Sequence, residues 1–224
     1  MSIVRLVGMT QPMPWTGCET AEELVAYAAR VSNPTNQNNK ETAPRLLKYL
    51  MKHKHWSPFE MINLTMEITT TRDISRQILR HRSFAFQEFS QRYAEAMEFS
   101  LRNARLQDEK NRQNSIEVTD LLSLEEATEL VTTWIEHQES VTNRAREAYT
   151  WALENGIAKE QARVVLPEGN TDTTMYMQGS LRSWIHYCEL RMGIETQKEH
   201  RQVAKKCWAA IAEHIPSIWG LIES

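Results

Sequence analysis

Glycine is scarce in this chain, with seven residues among 224 and none of them clustered. No G-x-G-x-x-G run and no Walker-type loop is present, so a dinucleotide would have to be held by side chains rather than by a backbone cradle. Cysteine is rarer still. Cys18, Cys188 and Cys207 are an odd number with no C-x-x-C pair, which excludes a disulfide framework and reads as reduced, structural thiols in the cytoplasm. No apolar run approaches the ~18 residues that a membrane span requires. The opening MSIVRLVGMT lacks the basic flank and long apolar core of a secretory signal. A G-x-S-x-G elbow is absent as well. With a formal net charge of -3, the chain has no overall basic character that would favour broad nucleic-acid binding.

What is present is an ordinary globular composition, 41 % apolar and 25 % charged, in a chain long enough for one substantial core. A single domain over residues 1–224 is expected. The patterning predicts a strand near Ser2–Val7, then a helix opened by the Thr20–Glu23 capping box and running through Ala29. Residues 33–39 are turn material, and Pro44 suits the first turn of a helix that buries Leu46, Leu47, Leu50 and Met51. Ile62, Leu64, Met66 and Ile68 alternate with polar residues, the cleanest strand signal in the chain. His53 and His55 have no third ligand at useful spacing, so no metal is expected. Residues 100–120 read as loop-rich. A second capping box, Ser123–Glu126, opens a helix of roughly thirty residues whose apolar stripe reaches Asn155-Gly156. A short helix before Pro167, a strand over 171–177, a helix capped by Ser180 and a last helix over 195–214 complete the expectation.

One stretch is out of balance. Arg72 to Tyr93, RDISRQILRHRSFAFQEFSQRY, holds five arginines (Arg72, Arg76, Arg80, Arg82, Arg92) against Asp73 and Glu88, a net of +3 in an acidic chain. Partly sheltered guanidinium groups are costly unless an anion meets them, and their forks match phosphate and carboxylate. A helix from Arg72 to about His81 aligns Gln77, Arg76 and Arg80 on neighbouring turns. The chain is expected to leave that helix near Ser83, and in an extended continuation Glu88, Ser90 and Arg92 point the same way. The stretch therefore reads as a site for a phosphorylated ligand.

The same residues carry a family pattern. Gln77, Arg80-His81-Arg82, Glu88, Ser90 and Arg92-Tyr93 form Q-x-x-R-H-R-x5-E-x-S-x-R-Y, which resembles the R-H-R-x7-S signature of the flavin-dependent thymidylate synthases. Gln87 stands where that family commonly has Asn. Three further blocks agree: His55-Trp-Ser-Pro-Phe-Glu60, Glu160-Gln-Ala-Arg-Val-Val-Leu-Pro167, and Ser180 to Arg191, similar to N-x-R-S-x-x-x-F-x-x-L-R. In the last, Ser180 replaces a common Asn and Tyr187 replaces Phe. Thr196-Gln-Lys-Glu199 partly resembles A-Q-x-E.

The resemblance implies an α+β fold, a curved mixed or antiparallel sheet flanked by long helices, assembled as a homotetramer with sites at subunit interfaces. It implies reductive methylation of dUMP to dTMP, with 5,10-methylenetetrahydrofolate as carbon donor and NADPH-reduced FAD as hydride source. It assigns dUMP to Gln77, Arg80, Glu88, Phe89, Ser90, Gln91, Arg92, Arg163 and Arg191, the last as the catalytic group that stabilises the anionic uracil ring. It assigns FAD to Ser57, Arg80, His81, Arg82, Glu88, Ser180, Arg182 and His186. From the residues alone, His186 beside Trp184 and Tyr187 reads as packed core, and Arg163 as an exposed arginine. Ser90 has no adjacent base and reads as a binding group rather than a nucleophile. The expected compartment is the cytoplasm, a host's if the source is viral, with no nucleic-acid or membrane partner. A competing class is a single-stranded nucleic-acid binder that stacks bases on Phe84, Phe86 and Phe89.

Overall fold

The computed structural model describes residues 2–218. Its elements in chain order are β1 (Ile3–Met9), α1 (Ala21–Ala29), α2 (Ala43–Lys52), β2 (Asn63–Thr71), α3 (Arg72–Ile78), β3 (Ala85–Glu88), β4 (Arg105–Gln107), β5 (Ser115–Glu117), α4 (Leu124–Glu154), α5 (Lys159–Ala162), β6 (Asp172–Ser180), α6 (Leu181–Arg191) and α7 (Lys198–His214). Short 3-10 turns join several of them, including Ser57–Met61 ahead of β2.

The sheet has the order β1-β2-β6-β3, with every neighbouring pair antiparallel. Its centre is the β2–β6 pair, in unbroken register from Asn63 opposite Ser180 to Thr71 opposite Asp172. Alternation dictates the buried face. Leu64, Met66 and Ile68 from β2 and Met175 and Met177 from β6 are wholly buried, while Asn63 and Tyr176 lie outward. Helices α1, α2, α6 and α7 cover the buried face with Val25, Leu47, Trp184, Tyr187, Val203, Cys207 and Ile211 in one core. Burial of Trp184 strands no polar group, because its indole N–H donates to the Leu64 carbonyl at 3.1 Å.

Both expected capping motifs are formed, with one variation. Ser123 and Glu126 exchange the two bonds of a full capping box. Thr20 accepts from the Glu23 amide, but the Glu23 carboxylate reaches the Glu19 amide instead of that of Thr20. The helix expected from Arg72 to about His81 stops at Ile78, with Leu79 as its C-cap. Helix α7 starts at Lys198 rather than Glu195. The loop-rich stretch 100–120 hides the β4–β5 hairpin, whose strands have three residues each, too few to show a period. The stripe expected on α4 is only half buried. Ala145, Tyr149 and Ala152 pack inward, whereas Leu130, Trp134 and Val141 are exposed.

Gly179, one residue before the end of β6, lies under the Phe84 ring. A Cβ there would fall 2.5 Å from a ring carbon, well inside van der Waals contact, and the ring is hemmed in by Trp184 at 4.8 Å between centroids. Gly179→Ala should therefore cost about 1–3 kcal/mol of overpacking and lower Tm by several degrees in a chain of this size. A thermal melt with unchanged Tm would show that Phe84 is free to move and that this packing does not hold the sheet end.

Candidate active site

Helix α3 begins directly at the end of β2, and the arginine-rich stretch divides according to what each side chain meets. Arg72 and Arg76 share Glu168 through their Nε atoms, at 3.1 and 3.0 Å. Arg76 also pairs with Glu88 at 3.1 Å. Arg92 pairs with Glu160 at 3.3 Å. Arg80 and Arg82, both exposed at the end of α3, form no ion pair among the described residues. The sequence suggests one block of five cations. Three of them hold the fold's own acids, and two form no ion pair among the described residues.

A third uncompensated guanidinium joins these two. Arg191, the last residue of α6, is partly buried, and its Nε donates to His81 Nε2 at 2.9 Å. Among the described residues no carboxylate pairs with it. Its position at a helix C-terminus is favourable for a cation. His81 must present a lone pair at Nε2 to accept this bond, so the imidazole is neutral with its proton on Nδ1. Burial and, after it, the nearby Arg191 charge push the His81 pKa down to about 4.

Behind this pair lies a chain of hydrogen bonds that the sequence did not reveal. Gln77 donates to Gln197 at 2.8 Å, and the Gln77 Oε1 lies 3.2 Å from His200 Nδ1. His200 Nε2 is 3.1 Å from the Tyr187 hydroxyl. Gln197 donates to Glu199 at 3.0 Å, and Glu199 is held by Arg105 at 2.7 Å. His200 is wholly buried. Its one trace in the sequence is spacing: it precedes Val203, Ala204 and Cys207 by three, four and seven residues, a histidine on an apolar helix face.

The flavin residues expected from the other blocks gather at the start of α6. Ser180 caps the helix by accepting from the Ser183 amide at 3.2 Å. Arg182 pairs with Glu60, and the His186 ring meets Trp56 edge-on at 4.6 Å. Ser57 is exposed at the start of the adjoining 3-10 turn. His186 is thus not the core residue that its neighbours suggest: its side chain is 42 % exposed, with Nδ1 3.6 Å from the Glu189 carboxylate.

The segment after β3 departs from expectation. Glu88 ends the strand, but its carboxylate turns to Ser75 at 2.6 Å, Thr173 at 3.1 Å and Arg76. Ser90 and Arg92 do not continue an extended strip. The Ser90 hydroxyl accepts from the Arg92 amide, and the Ser90 carbonyl accepts from the amides of Tyr93 and Ala94. A serine offered nearby amides prefers this local turn to an unpaired edge. Phe89 stays in register with β6 through its amide and is 37 % exposed. Gln91 is buried, and its Nε2 has no hydrogen-bond partner among the described residues. Arg163 Nε donates to the Glu160 carbonyl, beside Arg92. Ser90, Gln91, Arg92 and Arg163 thus form a second group. No hydrogen bond or ion pair within the described chain joins it to Arg80, His81 and Arg191.

Two of the three supposed stacking platforms are engaged elsewhere. Phe84 packs on Trp184 and Tyr187, and Phe86 lies against the core. A cavity of about 440 Å³ near Arg102, Arg105 and Lys198 contains none of the expected site residues. Its cations are already paired with Asp73, Glu199 and Glu117.

The family model described as Thymidylate synthase complementing protein matches residues 15–217. A probable flavin-dependent thymidylate synthase of Paramecium bursaria Chlorella virus 1 is 51 % identical over 215 residues, which is 96 % of this chain and 95 % of that protein. The chain belongs to the flavin-dependent thymidylate synthase family. A flavin-dependent thymidylate synthase of Synechocystis is 45 % identical over 98 % of this chain and 99 % of its own length. Among solved structures, a UMP/dUMP methylase from Streptomyces cacaoi bound with 5-Br dUMP superposes with a TM-score of 0.78. It is 27 % identical, over 97 % of this chain and 92 % of that one.

The two neutral histidines of this family member make its stability sensitive to acid. Burial first, then Arg191 and His81, push the His200 pKa to about 3, against an ordinary 6.5. Unfolded, both imidazoles take up a proton as pH falls through about 6.5; folded, they resist until about 4 and about 3. The unfolded state binds more protons across that window, so stability falls as the pH is lowered. Tm measured from pH 7 to pH 4 should decline, and His81→Asn or His200→Asn should flatten the decline. A slope untouched by both substitutions would mean that the native imidazoles titrate normally.

Proposed function

We propose that this chain converts dUMP to dTMP as a flavin-dependent thymidylate synthase. The methylene carbon of 5,10-methylenetetrahydrofolate bonds to C5 of the uracil, its bonds to the folate nitrogens break so that tetrahydrofolate leaves, the C5 proton is lost, and a hydride whose two electrons come from NADPH completes the methyl group. FAD, when bound, supplies the hydride. The observation that carries the residue-level reading is Arg191: a partly buried guanidinium whose partner is a neutral histidine and which meets no acid among the described residues. The uracil ring gains negative charge at N3 and its carbonyls as C5 becomes nucleophilic. A fixed fork of N–H donors is complementary to that charge.

In this reading Gln77, Arg80, Glu88, Phe89, Ser90, Gln91, Arg92, Arg163 and Arg191 serve the nucleotide. FAD would be held by Ser57, Arg80, His81, Arg82, Glu88, Ser180, Arg182 and His186. The donor set fits the group: among the described residues Arg80 and Arg82 have no acids of their own to neutralise, as a pyrophosphate needs, and the Trp56–His186 pair offers an aromatic surface. The chain has no glycine-rich loop that would do this instead. A homotetramer would bring the Ser90–Arg163 group of one subunit to the Arg80–Arg191 group of another. Exposed Leu130, Trp134, Val141 and Trp151 on α4 are apolar surface suited to such an interface. No helix among the described residues is long and apolar enough to cross a membrane, and the reading places the enzyme in the cytoplasm.

Nucleic-acid binding is disfavoured because Phe84 and Phe86 are packed inward. Covalent attack by Ser90 is disfavoured because its hydroxyl meets the Arg92 amide and, among the described residues, no basic side chain. The purified protein should be yellow, absorbing near about 370 and 450 nm as flavins do, and should form dTMP from dUMP, methylenetetrahydrofolate and NADPH. Ser90→Ala should still form product while losing about 1 kcal/mol of dUMP affinity, the worth of one hydrogen bond. A colourless protein that shifts single-stranded oligonucleotides at low salt would contradict the enzyme. Complete loss of product by Ser90→Ala, at saturating dUMP and with flavin intact, would make the serine a nucleophile.

A further inference from the structure

We propose that His200 and Tyr187 act together as positioning residues that lock the Gln77 side-chain amide in one orientation, its oxygen turned into the core and one N–H left for the nucleotide. The proposal rests on the reading of Gln77 as a dUMP contact and adds to it the device that orients the amide.

One end of the hydrogen-bond chain has a chemistry that is not open to choice. Glu199 is a carboxylate bound by Arg105, with Nη2 2.7 and 2.9 Å from its two oxygens, and can only accept. Gln197, 3.0 Å away, must therefore turn its NH2 to Glu199 and its oxygen to Gln77. Gln77, at 2.8 Å from that oxygen, must in turn present its NH2 there, leaving its own oxygen opposite His200 Nδ1 at 3.2 Å. An amide oxygen cannot donate, so Nδ1 carries the hydrogen. His200 Nε2 is then a lone pair and takes the Tyr187 hydroxyl hydrogen at 3.1 Å. Amide orientations and histidine tautomers are ambiguous when taken singly. Here every link has one direction, Tyr187 to His200 to Gln77 to Gln197 to Glu199.

Both residues at the inner end stand where apolar side chains would be ordinary. Tyr187 occupies the position of Phe in the family pattern, and His200 lies on the apolar face of α7. Each is almost wholly buried, and each would be costly there without the other. Burial and the positive charge of Arg191 keep His200 neutral, which preserves the donor–acceptor order. An imidazolium would turn an N–H to Tyr187 and leave the hydroxyl hydrogen without its acceptor. What the pair secures is the amide at the other end. Gln77 is only partly buried, and one of its two amide hydrogens has no part in the chain. Gln197 holds the nitrogen end of that amide and His200 the oxygen end; without His200 one of the two anchors is gone, and the side chain could swing away from the position that aims its free N–H.

The test is steady-state kinetics for dUMP on the flavin-loaded enzyme. His200→Leu, which keeps volume and removes both bonds, should raise the dUMP KM about five- to tenfold and change kcat at saturating dUMP by less than about twofold. His200→Asn places an amide N–H near the position of Nδ1 and should recover most of the loss. Tyr187→Phe, which removes a single oxygen and is the variant to rely on if His200→Leu fails to fold, should raise KM in the same direction. In a Gln77→Ala background none of the three should have a further effect, since coupled residues are not additive. Additive losses, or an unchanged KM in both Tyr187→Phe and His200→Leu while Gln77→Ala raises it, overturn the positioning role alone. An unchanged KM in Gln77→Ala overturns the reading of Gln77 and the proposal with it.

Discussion

A half-buried arginine that meets no acid among the described residues is the constraint on which this architecture turns. Taking a guanidinium out of water is costly, and proteins usually recover the cost by pairing it. Arg191 is instead set against His81, which accepts its Nε–H without neutralising its charge. The histidine can do so only while uncharged, and the same arginine helps to keep it uncharged. The arrangement is self-consistent in the free protein and leaves the cation's field directed at whatever binds.

The fold produces this meeting by handing two adjacent strands to two helices. β2 and β6 run antiparallel for nine residues, about 30 Å. β2 passes directly into α3 at one end of that ladder, and β6 passes directly into α6 at the other. The seven residues of α3 and the eleven of α6 span about 10 and 16 Å. They return along the sheet from opposite ends and bring their C-termini together, where Arg80, His81 and Arg82 follow one and Arg191 ends the other. Strand length, register and helix length jointly set the spacing of the site. A change in any one would part Arg191 from His81 without altering either residue.

The elements that set this geometry were legible because each has a strong period or a cap. Leu64, Met66 and Ile68 marked β2, Ser180 marked the start of α6, and Ser123 with Gly156 bounded α4. Four features were not legible, each for a physical reason. The β4–β5 hairpin is too short for a period to emerge. The turn at Ser90 depends on a hydroxyl and a carbonyl choosing local amides over an extended edge, which alternation does not encode. The division of the arginines depends on Glu160 and Glu168, which lie far along the chain from them. The family pattern supplied names for residues such as Arg163 that periodicity alone left as surface. His200 was hidden for the opposite reason: on an apolar helix face a histidine looks like core, and its role is visible only once Gln77, 123 residues earlier, is seen beside it.

The central claim is that Arg191 stabilises charge that develops on the uracil rather than charge already present in dUMP. Lysine keeps the positive charge and loses the two-pronged fork, so Arg191→Lys separates the two roles. The measurement is kcat alongside the equilibrium dUMP affinity of this variant, with flavin content matched to that of the parent enzyme. The account predicts that dUMP binding is largely retained while most of the turnover is lost, as for an interaction that strengthens in the transition state. Affinity and kcat falling by the same factor would reduce Arg191 to a binding residue, and unchanged values for both would place the developing charge elsewhere.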